Sequence, residues 1–340
     1  MTVSPDSTSE KPKLGLVLGS GAARGWAHIG VLQALDEMGV EPDIYAGCSA
    51  GALVSGAKLL GILEDLEKWA LELKPLGAMK DFAFTFSRGG VLDPAAAFDS
   101  FRGADKLIEE LDVPFAANAT DIGTGEEVWL TQGSVIDAAK ASTAIPLIFR
   151  AARMPGEHGD RWLVDGALSN PVPVDLARSL GADKVIAVDV NAISRSIRRF
   201  NSERSTAVIV RPDPTPAIPE NPVLPTPLAN LIANTRAYVD QRAAVARARM
   251  KSKPHFFETA TAAADIFQAQ LAEAKAQIHP PDIRLTPDLR HIAHAAFDRA
   301  EEIIDIGYQV TMQAKEDILA LEGKVQPQTG QEDERPRKEL

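Results

Sequence analysis

The sequence predicts an α/β protein of three layers, α/β/α, with helices covering a mainly parallel central sheet. The chain opens in β-α-β-α order, and short apolar runs recur downstream with helix-spaced segments between them. With 340 residues, 45% hydrophobic and 24% charged, it can bury a sizeable core.

The elements follow in order. Lys13 to Leu18 is a short apolar run that stops at Gly19-Ser20-Gly21, and Ala27 to Met38 then carries helical apolar spacing through Ile29, Leu32 and Leu35. Ile44-Tyr45-Ala46 reads as a second strand, and Ser49 to about Leu73 as a second helix ended by Pro75 and Gly77. Residues 78–105 are less regular; Phe82, Phe84 and Phe86 either fill the core or, with Arg88-Gly89-Gly90, form a flap over a pocket. Phe115 to Thr120 and Glu127 to Leu130, around the turn Gly123-Thr124-Gly125, form a hairpin. Residues 134–144 are helical up to Pro146, Arg161 to Val164 and Lys184 to Val188 are strands, and Val174 to Leu180 is a helix. Seven prolines between Arg211 and Pro227 exclude regular structure there. Leu228 to Met250 and Ala262 to Gln277 are expected as helices, Asp282 to Leu285 as a last strand, and Phe297 to Leu321 as a closing helix.

The expected organisation is a disordered tail at 1–13, one domain at 14–322 with a Pro-rich surface connection at 211–227, and a disordered tail at 323–340. The net charge of −11 argues against nucleic acid as a partner, because phosphate neutralisation needs a basic field. Arg195, Arg198, Arg199 and Arg204 form a local exception, read as a solvated loop in preference to a headgroup contact. Cys48 is the only cysteine, which excludes an intrachain disulfide and suits a reducing compartment. The first residues lack the apolar segment of a secretory signal, and no apolar stretch reaches the ~18 residues of a membrane span. A cytoplasmic location is expected, with peripheral contact at a membrane face as its extension.

Chemistry concentrates at Ala46-Gly47-Cys48-Ser49-Ala50-Gly51, a GxSxG pattern between an apolar run and a helix-like one. Such a nucleophile elbow projects a serine hydroxyl from a tight strand-to-helix turn, where flanking glycines keep side chains out of the bend. Two further segments join Ser49. Gly19-Ser20-Gly21-Ala22-Ala23-Arg24-Gly25 precedes a helix, and Val164-Asp165-Gly166-Ala167 places a carboxylate at a strand end.

With Ala141-Ser142-Thr143-Ala144-Ile145-Pro146 and Asn170-Pro171-Val172-Pro173, these segments resemble the patatin-like phospholipase family over about residues 14–192. Pro281 to Arg284 and Asp298 to Glu302 are similar to its small bacterial members. The resemblance implies the patatin-like α/β/α fold and a serine-aspartate dyad, with Ser49 as nucleophile and Asp165 as base. It also implies an oxyanion hole from main-chain amides of Gly21, Ala22, Ala23, Arg24 and Gly25, and a site shaped by Asp121 and Ser142. A carboxylate of ordinary pKa, about 3.9, is a weak base, so the dyad needs direct contact in a partly dry pocket.

The histidines offer alternative bases. His279, His291 and His294 stand late enough for a serine-acid-histidine triad, yet Ser49 follows only two strands where such hydrolases place several first. His28 reads as a core or supporting residue, His158 as part of an exposed turn, and Cys48 as a small buried side chain. No metal motif appears, so no metal and no cofactor are expected. The expected activity is cleavage of a fatty-acyl ester, with a lipid or acyl ester as substrate. A binding or regulatory protein on the same scaffold, and a nucleotide-binding module built on Gly19 to Gly25, remain as the other readings.

Overall fold

The computed structural model describes residues 11–73, 101–146, 149–156, 159–192 and 256–323. Residues 78–100 of the irregular segment expected at 78–105, His158, His255, the arginines at 195–204, the prolines at 211–227 and the helix expected at 228–250 lie outside the described residues, as do nearly all residues of the expected tails. Contacts group the chain into two units, Met1–Ser194 with Phe267–Leu340, and Arg195–Ile266. Of the second unit, residues 256–266 are described, as the first part of a helix. All that follows concerns the first.

Its strands are β1 (Leu14–Leu18), β2 (Ile44–Cys48), β3 (Phe115–Asp121), β4 (Glu127–Leu130), β5 (Ala152–Gly156), β6 (Gly159–Asp165), β7 (Lys184–Val188) and β8 (Ile283–Leu285). The helices used below are α1 (Ala27–Glu37), α2 (Ala50–Leu59), α3 (Leu63–Glu72), α4 (Val135–Ser142), α5 (Val174–Ser179), α6 (Phe256–Ile278), α7 (Ala300–Gln313) and α8 (Lys315–Leu321). The sheet runs in the order β5-β6-β3-β2-β1-β7-β8, with β4 also on β3. From β3 through β2, β1 and β7 to β8 the pairs are parallel, whereas β4, β5 and β6 pair antiparallel.

Alternation along the parallel strands makes the three layers. Leu14, Leu16 and Leu18 of β1, Tyr45 of β2, Phe115 and Ala117 of β3, and Ile186 and Val188 of β7 belong to one apolar cluster, shared with α1, α2, α4 and α7. Val17, Ile44, Ala46, Ala116, Val185 and Ala187 point the other way, onto α5 and Ala272 of α6. A two-residue side-chain period explains both clusters, and covering both faces explains why β1, β2 and β7 are apolar almost throughout.

The structure corrects several expected boundaries. The helix read as Ser49 to Leu73 is two helices, because Gly61 takes a left-handed φ of 72° and ends α2. The closing helix breaks at Ala314 and starts with a 3-10 turn, Phe297–Arg299. β5 is a strand beyond those expected; it contains Pro155 and lies at the edge of the sheet, where a residue without an N–H is tolerated.

α4 matters because it carries Ser142. Ser134 starts it by accepting the N–H of Asp137 at 2.9 Å. Ser134→Ala is expected to cost about 1 kcal/mol, read as a lower urea midpoint at unchanged slope.

Candidate active site

The edge of β3 brings the two chemical residues together. β2 lies against Phe115–Asn118, ending with Cys48 opposite Asn118. β6 lies against Ala119–Asp121, ending with Asp165 opposite Ala119. β4 pairs with residues 117–120 and therefore shares residues with both. A strand residue has only two edges, so β2 and β6 must occupy the same one. β6 takes over the edge where β2 leaves it, and the last residue of β6 meets the residue that follows β2.

That residue is Ser49, held at φ 53° and ψ −120°. A non-glycine residue at positive φ is strained by roughly 1–3 kcal/mol, and the surroundings must hold it there. Two close approaches and two hydrogen bonds do so. Helix α2 turns so tightly that a Cβ at Gly51 would lie 1.9 Å from the Leu18 carbonyl oxygen, and one at Gly47 would lie 2.5 Å from Ala52 Cα. The Ser49 N–H donates to Ser142 Oγ at 2.7 Å, and Leu53 N–H returns to the Ser49 carbonyl at 3.1 Å.

Ser49 Oγ donates to Asp165 Oδ2 at 2.6 Å. Ala167 N–H donates to the other carboxylate oxygen, Oδ1, at 2.9 Å, through the 3-10 turn Gly166–Leu168. Both side chains are buried, Ser49 at 3% and Asp165 at 4% exposure. Burial raises the Asp165 pKa to about 6, against the opposing pull of its bonds from Ser49 and Ala167. Neighbouring Cys48 is fully buried, and burial followed by the charges of Asp165 and Glu127 pushes its thiol pKa up, so it stays a neutral apolar side chain.

The glycine loop lies over α2's start and is largely engaged within the protein. Gly19 N–H bonds to Val188 O, Ser20 N–H to Pro171 O, Ala23 N–H to His294 O and Arg24 N–H to Gly21 O. Of the amides read as oxyanion donors, those of Ala23 and Arg24 are therefore already engaged, and Gly25 lies inside the 3-10 turn Ala22–Trp26. The N–H groups of Gly21 and Ala22 have no backbone partner among the described residues. Ala22 sits at φ 47°, the second strained non-glycine residue among those described.

Arg24 is buried and braces the loop. Its Nε donates to Ile292 O at 2.9 Å and its Nη1 to Asn191 Oδ1 at 3.2 Å. His28, fully buried, donates from Nε2 to Gly19 O at 2.8 Å; burial lowers its pKa to about 4, so it is neutral. Asp121 holds the β3-β4 turn by accepting Gly123 N–H at 2.8 Å. Of the late histidines, exposed His291 faces Glu302, His294 faces Asn191, and His279 is exposed on the C-terminal side of α6. Neither Ser49 nor Asp165 has a histidine partner among the described residues. No group of three or more His, Cys, Asp or Glu side chains suited to a metal assembles among them, and no helix among them is long and apolar enough to cross a membrane.

Reading the residues alone did not single out Asn118 and Thr120. Their signal was present: with Asp121 they are the polar positions of the β3 run Phe-Ala-Ala-Asn-Ala-Thr-Asp, and both are buried.

Residues 16–178 match the family described as Patatin-like phospholipase. An uncharacterised NTE family protein of Mycobacterium tuberculosis (strain ATCC 25618 / H37Rv) is 37% identical over 185 residues, covering 54% of this chain and 50% of that protein. Lysophospholipase nte1 of Emericella nidulans is 29% identical over 229 residues, 62% of this chain and 14% of that one. A patatin-like phospholipase domain-containing protein of Caenorhabditis elegans is 32% identical over 195 residues, 54% of this chain and 14% of that one. The match thus spans half the length of the mycobacterial relative and a smaller share of the other two.

The raised pKa of Asp165 carries a stability consequence. Between the ordinary value of 3.8 and about 6 the folded protein holds a proton that the unfolded chain has released, so stability falls as pH rises through that window. Asp165→Asn, which carries no charge, is expected to be more stable than wild type by about 2–3 kcal/mol at about pH 8. Paired urea titrations should show that advantage shrinking to nothing below about pH 4.

Proposed function

Over residues 16–178 the chain belongs to the patatin-like phospholipase family, and on that premise we propose that it is a lipid acyl hydrolase working through a Ser49 acyl-enzyme. The observation that carries this reading is the 2.6 Å bond from Ser49 Oγ to Asp165 Oδ2 in a buried site. Ser49 Oγ attacks the ester carbonyl carbon while its proton passes to Asp165 Oδ2. The carbonyl oxygen, now anionic, accepts from the N–H groups of Gly21 and Ala22. Collapse of the tetrahedral intermediate breaks the ester C–O bond, and the departing alcohol takes the proton from Asp165. Water then attacks the acyl-enzyme, giving its proton to the same carboxylate, which returns it to Ser49 as the fatty acid leaves.

A carboxylate can serve as base here because burial has moved its pKa to about 6, near working pH. The proposed chemistry needs no metal, since the nucleophile is a side chain activated by a side chain. The proposed substrates are phospholipid, lysophospholipid or a simpler acyl ester, met in the cytoplasm or during transient contact with a membrane surface.

Ser49→Ala is expected to abolish both ester turnover and labelling by a fluorophosphonate probe, and Asp165→Asn to lower kcat/KM by about a thousandfold or more while the fold is kept. Labelling that survives Ser49→Ala, or a folded wild-type protein that takes no label, would sink the reading. In wild type, kcat/KM should rise with pH along a one-proton limb centred at about 6, because the base must be ionised to act. A chelator present throughout should leave the rate unchanged.

A further inference from the structure

We infer that Asn118 and Thr120 are positioning residues for Asp165: from the side of β3 away from Ala117 and Ala119, they fix the main chain of the turn that carries the base. The inference deepens the proposed dyad and rests on it. β3 presents Ala117 and Ala119 to the cluster that includes α2 and α4, so the alternate residues Asn118 and Thr120 face the other way. What they meet there is the backbone just after β6.

Thr120 Oγ1 donates to the carbonyl oxygen of Asp165 itself at 3.0 Å and lies 2.8 Å from Ser169 Oγ. Asn118 Nδ2 donates to Asn170 O at 2.9 Å and reaches Gly166 O at 3.3 Å. Two neighbouring side chains of one strand thus engage the carbonyls of Asp165, Gly166 and Asn170. Gly166 is packed so closely on Asn118 that a Cβ there would lie 2.5 Å from both the Asn118 carbonyl oxygen and its Oδ1. The segment between those carbonyls includes Ala167, whose N–H holds Asp165 Oδ1. Fixing the turn therefore fixes the rotation of the carboxyl and leaves Oδ2 directed at Ser49.

The amides are themselves oriented from below by charge. Asn170 Nδ2 donates to Glu127 Oε1 at 3.0 Å and to Asp175 Oδ1 at 2.7 Å. Glu127 Oε1 also lies 3.4 Å from Asn118 Nδ2, and Lys275 of α6 sits 3.3 Å from Glu127 Oε2. Each carboxamide nitrogen has three acceptors within reach while each carboxamide oxygen is buried with no hydrogen-bond partner among the described residues, and a flip would put that oxygen against carbonyls or carboxylates. Asn118, Thr120 and Asn170 are all buried at 5% exposure or less. A buried polar cluster ordered in this way restricts a neighbouring group to one geometry, and a displacement of about 1 Å at a reacting group costs on the order of a hundredfold in rate.

The test compares Thr120→Val, which keeps shape and removes the hydroxyl, with Thr120→Ser, which restores it. Both are assayed for kcat and KM on a soluble acyl ester and for thermal midpoint, with Ser49→Ala as control. The expected result is a loss of about tenfold or more in kcat for Thr120→Val, with KM within about twofold, and recovery to within about twofold of wild type for Thr120→Ser. Wild-type kcat in folded Thr120→Val, or equal losses in the two variants, would overturn the inference. Should Thr120→Val not fold, Ser169→Ala removes the partner hydroxyl at a half-buried position; a several-fold loss in kcat at constant KM supports the clamp and an unchanged kcat refutes it. Activity surviving in Ser49→Ala would instead refute the dyad, so the two failures are distinguishable.

Discussion

One edge of one strand governs this site. β3 carries β2 on its first residues and β6 on its last, and the handover at Asn118 and Ala119 sets a hydroxyl and a carboxyl 116 positions apart in sequence at 2.6 Å. Parallel pairing brings β2 toward that point and antiparallel pairing brings β6 to it from the opposite direction. The mixture of orientations in the sheet is thus the condition for the meeting: the chain must reverse between β3 and β6 for Asp165 to come last.

The same construction removes the two groups from water. Ser49 holds a backbone conformation that its own side chain disfavours, and Asp165 keeps a carboxyl where burial resists its charge. Each is unfavourable locally. They persist because the neighbours are committed: Gly47 and Gly51 admit the elbow, Ser142 holds the Ser49 amide, and Ala167 holds Asp165. Destabilisation concentrated at such a point, within a core of ordinary packing, is characteristic of functional sites.

How much of this was legible follows from which constraints are local. The elbow was legible because strain and close approach demand glycine at fixed offsets from Ser49, and strand periodicity located β1, β2 and β3 to within two residues and β4 and β7 at both ends. Asp165 alone reads as a turn residue; only its company singled it out. Long-range hydrogen bonding was not legible: nothing near Ala23 shows that its amide is bound by His294, or that Arg24 ends at Ile292 and Asn191, more than 160 positions away. Boundaries failed where one residue decides, as at Gly61, whose left-handed turn splits a continuous helical pattern. β5 failed because edge strands are exempt from the rules that identify central ones.

Burial of the base has a consequence for the direction in which charge moves during the proposed reaction. Before attack, the negative charge resides on Asp165, held by one backbone amide and one hydroxyl in a site that penalises it. As Ser49 gives up its proton, that carboxyl becomes neutral, which is the form its surroundings favour. The charge reappears on the substrate oxygen, for which the proposed donors are the amides of Gly21 and Ala22, neither of which has a backbone partner among the described residues. Charge therefore leaves a place where it is poorly solvated for one where fixed dipoles await it, and neither place has to reorganise. A base in open water would have a lower pKa and would favour the reverse transfer. In the proposed reaction the desolvation that weakens the fold near Asp165 and the oxyanion stabilisation assigned to Gly21 are two ends of one transfer, and the strand register that joins Ser49 to Asp165 makes that transfer short.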